Sequence, residues 1–321
     1  MKLLVLGGTL FLGRHIVKTA LKRGHDVTTF TRRKTNPDLF PDAKMLHGDR
    51  NGDLSVLKDG HWEFVIDTSA YFPKSVEKAC KILRGKVDHY TVISSISVYG
   101  DFINRKIDEE TPVVKLKEEN PTEITGENYG PLKALCEEKV KEYFPNNHFI
   151  VRPGLIVGPY DPTDRFTYWP VRVKKGGRVL SPGIPQRKIQ FIDVRNLSKW
   201  ILNSLEEKRT GTFNADGDPV TMGRFLNTCR DLINKNCELI WITDDLMEKY
   251  NVAPWTEMVL YIPGGDQNVS NEKAKKAGLK LRPFEETIND TIRWAEDKKV
   301  EDLRYGISAE KESFIIEKII E

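Results

Sequence analysis

Tyr129 and Lys133 stand four residues apart in the stretch ENYGPLKALCEEKV, residues 127–140. On a helix this spacing places the two side chains one turn apart on the same face. A phenol is a poor base near neutral pH, and a nearby ammonium lowers its pKa by stabilising the phenolate. The pair could therefore move a proton to or from a substrate oxygen. The same spacing also fits an ordinary helix that has a tyrosine near its start.

A glycine-rich turn near the start of the chain predicts a dinucleotide site. The apolar run KLLVLG is typical of a buried parallel strand, GRHIVKTALKRG has the apolar spacing of a helix, and GGTLFLG lies between them. We expect Gly7 to form the tight turn and Gly13 to let the helix pack closely on the strand. Gly8 and Thr9 would lie near the pyrophosphate. A GxxGxxG fingerprint that starts at Gly7 needs glycine at position 10, where this chain has Leu10. The alternative interpretation is a plain strand–helix turn.

The end of the second predicted strand indicates which dinucleotide is bound. HDVTTF runs into TRRK, where an NAD-selective domain usually offers an acidic side chain to the ribose 2′-hydroxyl. Thr31, Arg32, Arg33 and Lys34 offer a hydroxyl and positive charge, which suit a 2′-phosphate. We therefore predict NADP in preference to NAD. The alternative is that these are solvated surface charges.

Strands and helices continue to alternate along the chain, through FVID, VEKACKILRG, HYTVISS, the Tyr129 helix, HFIVRPG, NLSKWILNSL and GTFNAD. Helices of this length between strands imply right-handed crossovers. The sequence therefore predicts an α/β fold with a Rossmann-type doubly wound parallel sheet and a smaller C-terminal substrate lobe. We assign residues 1–158 and 190–217 to the dinucleotide-binding domain, and residues 159–189 and 218–321 to the lobe.

Composition and charge narrow the classes of partner. The formal charge of +3, with 30% charged residues, is too balanced to indicate nucleic acid or an anionic membrane. The four cysteines form no CxxC pair and have no neighbouring histidine, so we expect free thiols and no metal. Gly-Gly-Thr interrupts the apolar N-terminus, which therefore fits a first strand better than a signal peptide. We expect a cytoplasmic protein.

Seven short motifs resemble the short-chain dehydrogenase/reductase superfamily, specifically its extended, epimerase/dehydratase-like branch. In chain order they are GGTLFLG, GDR, VISSISVYG, YGPLK, VRPGLIVGP, QFIDVRNL and GTFNADG, and they cover nearly the whole chain. The glycine turn together with RPGLIVGPYDPTDRFTYWP most resembles an atypical subgroup labelled NAD-dependent epimerase/dehydratase. That subgroup is similar to the chloroplast stem-loop RNA-binding proteins.

The resemblance implies a catalytic set of Ser95, Tyr129 and Lys133. In the epimerase pattern the active hydroxyl lies four residues before the tyrosine of VYG, which selects Ser95 over Ser94 or Ser97. Ser95 would hydrogen-bond the substrate oxygen as charge develops, and Lys133 would also hold the nicotinamide ribose. Dehydratases of this branch carry an Asp-Glu pair where this chain has Ile-Ser, so we do not expect dehydration by that route.

Further contacts are expected with the cofactor and the substrate. The predicted cofactor contacts come from the glycine turn, the strand ends and the catalytic pair: Gly7, Gly8, Thr9, Phe11, Leu12, Gly13, Thr31, Arg32, Arg33, Asp49, Arg50, Thr68, Ser69, Ala70, Tyr129, Lys133 and Pro153. The predicted substrate contacts, which could grip an anion and stack on a ring, are Tyr71, Ser95, Arg165, Tyr168, Trp169 and Arg187. The alternative is that Tyr168 and Trp169 form the core of the lobe.

These expectations lead to two functions of different classes. The first is an NAD(P)-dependent oxidoreductase or epimerase that acts on a hydroxyl or carbonyl group of a small molecule, with a sugar nucleotide among the candidates. The second is a dinucleotide-binding regulator or RNA-binding protein that has lost turnover, although no basic stripe with interleaved aromatics is present. We expect the polar segment of residues 101–128 to be a solvated loop over the site or a lid. The resemblance also suggests a homodimer through paired helices.

Overall fold

The central sheet of this computed structural model consists of seven parallel strands. The structure describes residues 1–101, 103–117, 121–300 and 302–320. From one edge to the other the strands are β3 (Lys44–His47), β2 (Asp26–Thr31), β1 (Lys2–Leu6), β4 (Trp62–Asp67), β5 (Val87–Ile93), β6 (His148–Pro153) and β11 (Gly211–Ala215). The chain order reverses between β1 and β4, which is where a doubly wound sheet binds ligands at its carboxyl edge. The predicted fold class is confirmed.

Four long helices cover the two faces of this sheet. Helices α1 (Phe11–Lys22) and α5 (Val194–Glu206) pack on one face, and α2 (Pro73–Leu83) and α3 (Tyr129–Tyr143) pack on the other. Each has an apolar stripe at helical spacing; in α1 it includes Ile16, Val17 and Ala20, all fully buried. Two short 3₁₀ helices span Ser55–Leu57 and Ile96–Tyr99.

The second lobe has its own apolar core. Phe166, Trp169 and Phe225 lie at its centre and are fully buried. The elements outside the central sheet and its four helices are β7 (Leu155–Val157), α4 (Tyr168–Lys174), β8 (Gly177–Pro182), β9 (Lys188–Ile189), β10 (Phe191–Asp193), β12 (Val220–Thr221), α6 (Met222–Ile233), β13 (Cys237–Ile242), α7 (Asp244–Lys249), α8 (Glu272–Lys276), α9 (Phe284–Asp297) and α10 (Ala309–Ile320). β8 pairs with β13, β9 with β12, and β7 with β10.

The predicted domain boundaries are wrong for the segment around α8. Ala274, Ala277 and Leu279 pack into the apolar layer between the sheet and α5. The indole N–H of Trp200 in α5 also donates to the carbonyl of Ala277 at 2.9 Å. Residues 272–279 therefore belong with the sheet rather than with the lobe of residues 218–321.

Neither a membrane span nor a metal cluster is found in the described part of the chain. No helix there is long and apolar enough to cross a bilayer. Its histidine, cysteine and acidic side chains do not come together in any group of three or more that could hold a metal ion.

Candidate active site

A cleft of about 1640 Å³ opens at the carboxyl edge of the sheet and extends to the second lobe. It brings together sixteen of the seventeen predicted cofactor residues, all except Ala70: Gly7, Gly8, Thr9, Phe11, Leu12, Gly13, Thr31, Arg32, Arg33, Asp49, Arg50, Thr68, Ser69, Tyr129, Lys133 and Pro153. Ala70 is fully buried, and its carbonyl oxygen accepts a hydrogen bond from Lys133. The prediction of Ala70 as a direct cofactor contact is therefore wrong.

The glycine turn is a backbone cradle in which a side chain has no room. Gly7 and Gly8 both have φ of +107°, in the region that glycine alone adopts readily. A Cβ atom on Gly13 would lie 2.7 Å from the backbone nitrogen of Gly8, because α1 starts directly against the turn. The tight turn and the close packing that the sequence predicted for Gly7 and Gly13 are thus present. Leu10 is half-exposed at the lip of the cleft.

The basic residues after β2 border the same end of the cleft. Arg32, Arg33 and Lys34 are exposed, whereas Thr31 is buried and its hydroxyl accepts a hydrogen bond from the Arg33 backbone N–H at 3.3 Å. Arg33 has φ of +54°, so the chain turns sharply there. The charged side chains are therefore free to meet a ligand or the solvent.

The Arg50 side chain binds another side chain of the protein. Its guanidinium binds both carboxylate oxygens of Asp67, at 2.6 and 2.5 Å, and Asp67 also accepts from the Tyr90 hydroxyl at 2.8 Å. Asp67 is fully buried, and its charge raises the pKa of Arg50 against the opposing effect of burial. The Arg50 guanidinium, which the sequence predicted as a cofactor contact, is thus held in an ion pair that ties β4 to the loop after β3. Asp49 lines the cleft beside it.

Tyr129 and Ser95 meet where α3 begins. Tyr129 is the first residue of α3, and Ser95 lies just after β5, where its hydroxyl accepts from the Ser97 N–H at 3.1 Å. A Cβ on Gly130 would overlap the Ser97 carbonyl, so only glycine lets the helix approach this turn. Burial raises the pKa of Tyr129, and the nearby Ser95 hydroxyl acts in the opposite direction. Gly130 was not among the predicted site residues, although the YG pair in the sequence signals it.

Lys133 is anchored one turn along the helix. Its ammonium donates to the carbonyl oxygens of Ala70 at 2.8 Å and Ile93 at 2.7 Å, and it lies 5.9 Å from the centre of the Tyr129 ring. Burial lowers the pKa of Lys133. Burial of the phenol raises the pKa of Tyr129, so the structure does not show the lowering by this ammonium that the sequence predicted.

A buried network behind the site fixes the neighbouring serine. Ser94 donates to Glu137 at 2.5 Å, and Arg152 binds both carboxylate oxygens of Glu137, at 2.9 and 2.6 Å. Arg152 also donates to the Tyr99 hydroxyl at 2.8 Å. These contacts join β5, α3 and β6. They occupy the hydroxyl of Ser94, whereas Ser95 lines the cleft; sequence reasoning did not find the Glu137–Arg152 pair, because nothing in the local pattern marks it as buried.

The predicted substrate residues divide into two groups. Tyr71 and Arg165 line the cleft, as Ser95 does. Tyr71 is 43% exposed, with its ring centre 4.8 Å from the Lys133 ammonium. Arg165 donates through Nε to the Trp255 carbonyl at 3.1 Å. Its guanidinium lies 4.2 Å from the ring centre of Tyr305.

The other three predicted substrate contacts are wrong. Tyr168 and Trp169 pack inside the second lobe, and the Trp169 indole donates to the Val259 carbonyl at 3.0 Å. Arg187 forms an ion pair with Asp244 at 3.4 Å and lies over the Tyr261 ring. The alternative interpretation, in which the two aromatics form lobe core, is therefore correct.

The segment of residues 101–128 is docked along part of its length. Phe102 and residues 118–120 lie outside the described residues. Ile107 is fully buried and forms an isolated β-bridge with Val269. The Glu109 carboxylate accepts a hydrogen bond from the backbone N–H of Asn214 at 2.7 Å. Residues 114–117 and 124–127 border the cleft. The expectation of a solvated loop is wrong for Ile107 and Glu109, which make these contacts.

Comparison with known proteins confirms the resemblance drawn from the motifs. Residues 3–71 match the model of the NAD dependent epimerase/dehydratase family. The chloroplast stem-loop binding protein of 41 kDa b from Arabidopsis thaliana is 26% identical over 250 residues, which are 71% of this chain and 62% of that protein. UDP-glucose 4-epimerase from Corynebacterium glutamicum is 30% identical over 156 residues, 44% of this chain and 46% of that enzyme. The chain thus spans roughly half to three fifths of the length of these relatives.

A solved structure extends the likeness over the whole fold. UDP-glucuronic acid 4-epimerase from Bacillus cereus, in complex with NAD, superposes with a TM-score of 0.70 at 15% identity. The superposition covers 95% of this chain and 100% of that one. At this identity the likeness shows a shared architecture, including the lobe beyond the sheet.

Proposed function

We propose that this epimerase/dehydratase-like protein is an NAD(P)-dependent enzyme that oxidises or reduces a carbon–oxygen group of a small molecule through Ser95, Tyr129 and Lys133. One observation carries the proposal: the three side chains converge on the cleft that also contains the glycine turn. A plain helix with a tyrosine near its start has no reason to require Gly130 against Ser97, or a buried lysine beneath the tyrosine.

The glycine turn fits a dinucleotide. Backbone N–H groups at the start of α1, together with the positive end of the helix dipole, favour a pyrophosphate. The absence of room for a Cβ at Gly13 is what such a close approach requires. When bound, the nicotinamide supplies the hydride that is exchanged with the substrate carbon.

The side chains of the protein handle the proton. With its pKa raised by burial, Tyr129 is a protonated phenol at neutral pH and can donate to a substrate carbonyl oxygen. Ser95 offers a second hydroxyl to the same oxygen and stabilises the charge that develops on it. Lys133 keeps a cation below the phenol and favours the phenolate once the proton has left. The two backbone carbonyls that hold Lys133 fix its position.

We further propose NADP as the preferred cofactor, because Arg32 is exposed at the cleft edge with no acidic residue beside it in the TRRK stretch. An exposed charged contact of this kind contributes on the order of tenfold in affinity. Arg32→Ala should therefore weaken NADP about tenfold and leave NAD unchanged in a fluorescence titration. Arg84→Ala, an exposed arginine at the end of α2, is the matched control. Tighter binding of NAD than NADP by the unaltered protein contradicts this preference.

A substrate screen distinguishes the possible reactions. Carbonyl compounds and sugar nucleotides are incubated with the protein and NADPH or NADH. Net loss of reduced cofactor identifies a reductase, whereas conversion of a sugar nucleotide without net loss identifies an epimerase. Lys133→Met should lower both turnover and cofactor affinity. Turnover that survives this change would remove Lys133 from the site.

The similarity to a chloroplast stem-loop binding protein favours a second candidate function, an RNA-binding or regulatory role. Under that function, no compound turns over, and a stem-loop RNA binds equally well to the unaltered protein and to Lys133→Met. An electrophoretic shift assay at 0.15 M salt is the appropriate measurement, because nonspecific binding weakens steeply with salt.

A further inference from the structure

Asp67 is the last residue of β4, and the proton transfer described above gives it no role. Its carboxylate is fully buried, whereas the next two residues of the chain line the cleft. Both carboxylate oxygens accept from the Arg50 guanidinium, at 2.6 and 2.5 Å. The Tyr90 hydroxyl donates to Oδ2 at 2.8 Å, and the Ser69 backbone N–H donates to Oδ1 at 3.1 Å. Asp67 can therefore affect the cleft only through the residues that it binds.

The turn of residues 67–71, which follows β4, meets the Lys133 ammonium at two points. The Ala70 carbonyl accepts a hydrogen bond from the ammonium at 2.8 Å. One residue further on, the Tyr71 ring lies beside the same ammonium, with its centre 4.8 Å away. A shift of this turn would therefore move two of the groups that surround the nitrogen of Lys133.

The stability of the core gives little reason for the ion pair between Asp67 and Arg50. Taking two charges out of water is unfavourable, and apolar side chains of similar volume often stabilise a core as well or better. The pair fixes geometry instead, because a planar guanidinium binds both oxygens of a carboxylate in one orientation. In that orientation Asp67 also accepts the Ser69 N–H. The turn is thus held at its start by side chains and at Ala70 by Lys133.

We propose that Asp67 is a positioning residue, which fixes the turn of residues 67–71 and so places the ammonium of Lys133 at the cleft. The Arg50 guanidinium holds the Asp67 carboxylate in the orientation that the turn requires. Asp67 touches neither substrate nor cofactor in this role. The inference rests on the proposed function, because it concerns the lysine of the same site.

The two charges of the ion pair act on Lys133 in opposite directions. Burial lowers the pKa of Lys133, the Asp67 carboxylate raises it, and the Arg50 guanidinium lowers it. Further titratable side chains also face the ammonium, namely Tyr71, Tyr129 and Cys136. Loss of the Asp67 charge should therefore lower the pKa of Lys133 further, whereas loss of the Arg50 charge should not.

Two variants break the ion pair from its two sides. Asp67→Asn removes the charge and keeps an oxygen for the Ser69 N–H, but its amide cannot accept both arms of the Arg50 fork. Arg50→Met removes the fork, and it is the second variant if Asp67→Asn does not fold. Asp193→Asn is the matched control, because Asp193 is also buried and binds Arg195 through both carboxylate oxygens. It lies at the start of α5, outside the cleft.

The first measurement is an NMR titration of Lys133 with pH, in protein whose lysines carry an NMR-active carbon label at Cε. The Lys133 signal is identified as the one that is missing from Lys133→Met. Its midpoint should move to lower pH in Asp67→Asn, and it should not fall in Arg50→Met or Asp193→Asn. This readout follows the lysine directly, so it is independent of whether the protein turns over any compound.

The second measurement is turnover at saturating cofactor, with a substrate from the screen. A misplacement of about 1 Å at a positioned site is sufficient for roughly 100-fold, so turnover should fall by about that factor in both Asp67→Asn and Arg50→Met. Asp193→Asn should retain the turnover of the unaltered protein. If the screen yields no substrate, the proposed function fails, while the Lys133 titration still tests this inference.

Four results would overturn the inference. They are an equal Lys133 midpoint in Asp67→Asn and Asp193→Asn, a midpoint that falls as far in Arg50→Met as in Asp67→Asn, turnover of either ion-pair variant equal to that of the control, and a loss of turnover that saturating cofactor restores. The last result would assign the ion pair to cofactor binding instead.

Discussion

The glycine turn of residues 7–13 and the segment of residues 159–169 border the same cleft, but they are built in different ways. In the turn the backbone itself would be the binding group, and side chains are excluded by contacts such as that between Gly13 and Gly8. In the later segment, side chains would be the binding groups, and neighbours face opposite ways: Arg165 lies in the cleft and Trp169 in the lobe core. Substitutions in the turn should therefore affect binding, whereas in the segment they should affect either binding or stability.

The largest effect is expected from Gly13→Val. The new side chain would collide with the Gly8 backbone, so the pyrophosphate could no longer approach the turn. A displacement of about 1 Å at a positioned site is sufficient for roughly 100-fold, and we expect cofactor affinity to fall by at least that factor in calorimetry. Gly52→Ala is the control, since its Cβ would make an ordinary 3.4 Å contact with Asp49. Unaltered cofactor affinity of Gly13→Val would remove the turn from the site.

The next prediction compares how Trp169 and Arg165, two residues of the 159–169 segment, contribute to the free energy of unfolding. Trp169→Ala should lower the free energy of unfolding by about 3–5 kcal/mol, because a fully buried indole is removed from the lobe core. Arg165→Ala should lower it by no more than about 1 kcal/mol while weakening substrate binding. Urea denaturation of both variants checks the contrast. Equal destabilisation by the two changes would break the distinction between cleft and core residues.

The smallest expected effect is on the pH dependence of stability and concerns Asp216, whose fully buried carboxyl packs against Gly154. Burial raises its pKa to about 7, from an unfolded value near 3.9. The folded state therefore keeps a proton that the unfolded state releases, and this group's contribution to stability falls as pH rises from about 4 to 7.

Asp216→Asn removes that titration and keeps an acceptor for the Gly217 N–H. Relative to the unaltered protein, the variant should gain roughly 2–3 kcal/mol of unfolding free energy between pH 5 and pH 7.5. Urea denaturation at the two pH values gives the difference directly. Parallel pH profiles for the two proteins would show that the carboxyl does not bind a proton on folding.

The features that could be predicted from the sequence are those set by the backbone. Strand and helix periodicity determined the sheet, and the glycine spacing determined the turn, because both depend on neighbouring residues. The errors concern partners that are distant in the chain. Arg187 pairs with Asp244, and Trp200 in α5 bonds Ala277 at the end of α8, 77 residues later, so no local pattern reveals either contact. The side chains of Tyr168 and Arg165 point in different directions because packing in the lobe core determines which side of the segment is buried.

The central claim is that Tyr129 is the proton donor and acceptor of an enzyme, and Tyr129→Phe tests it most directly once the screen has yielded a substrate. Tyr143→Phe is the control, because that tyrosine is in the same helix and its hydroxyl contacts Glu77. We expect turnover by Tyr129→Phe to fall about 10²–10⁴-fold, the usual contribution of general acid–base transfer, with cofactor affinity and melting temperature nearly unchanged. Turnover equal to that of the control would show that Tyr129 is only a helix residue.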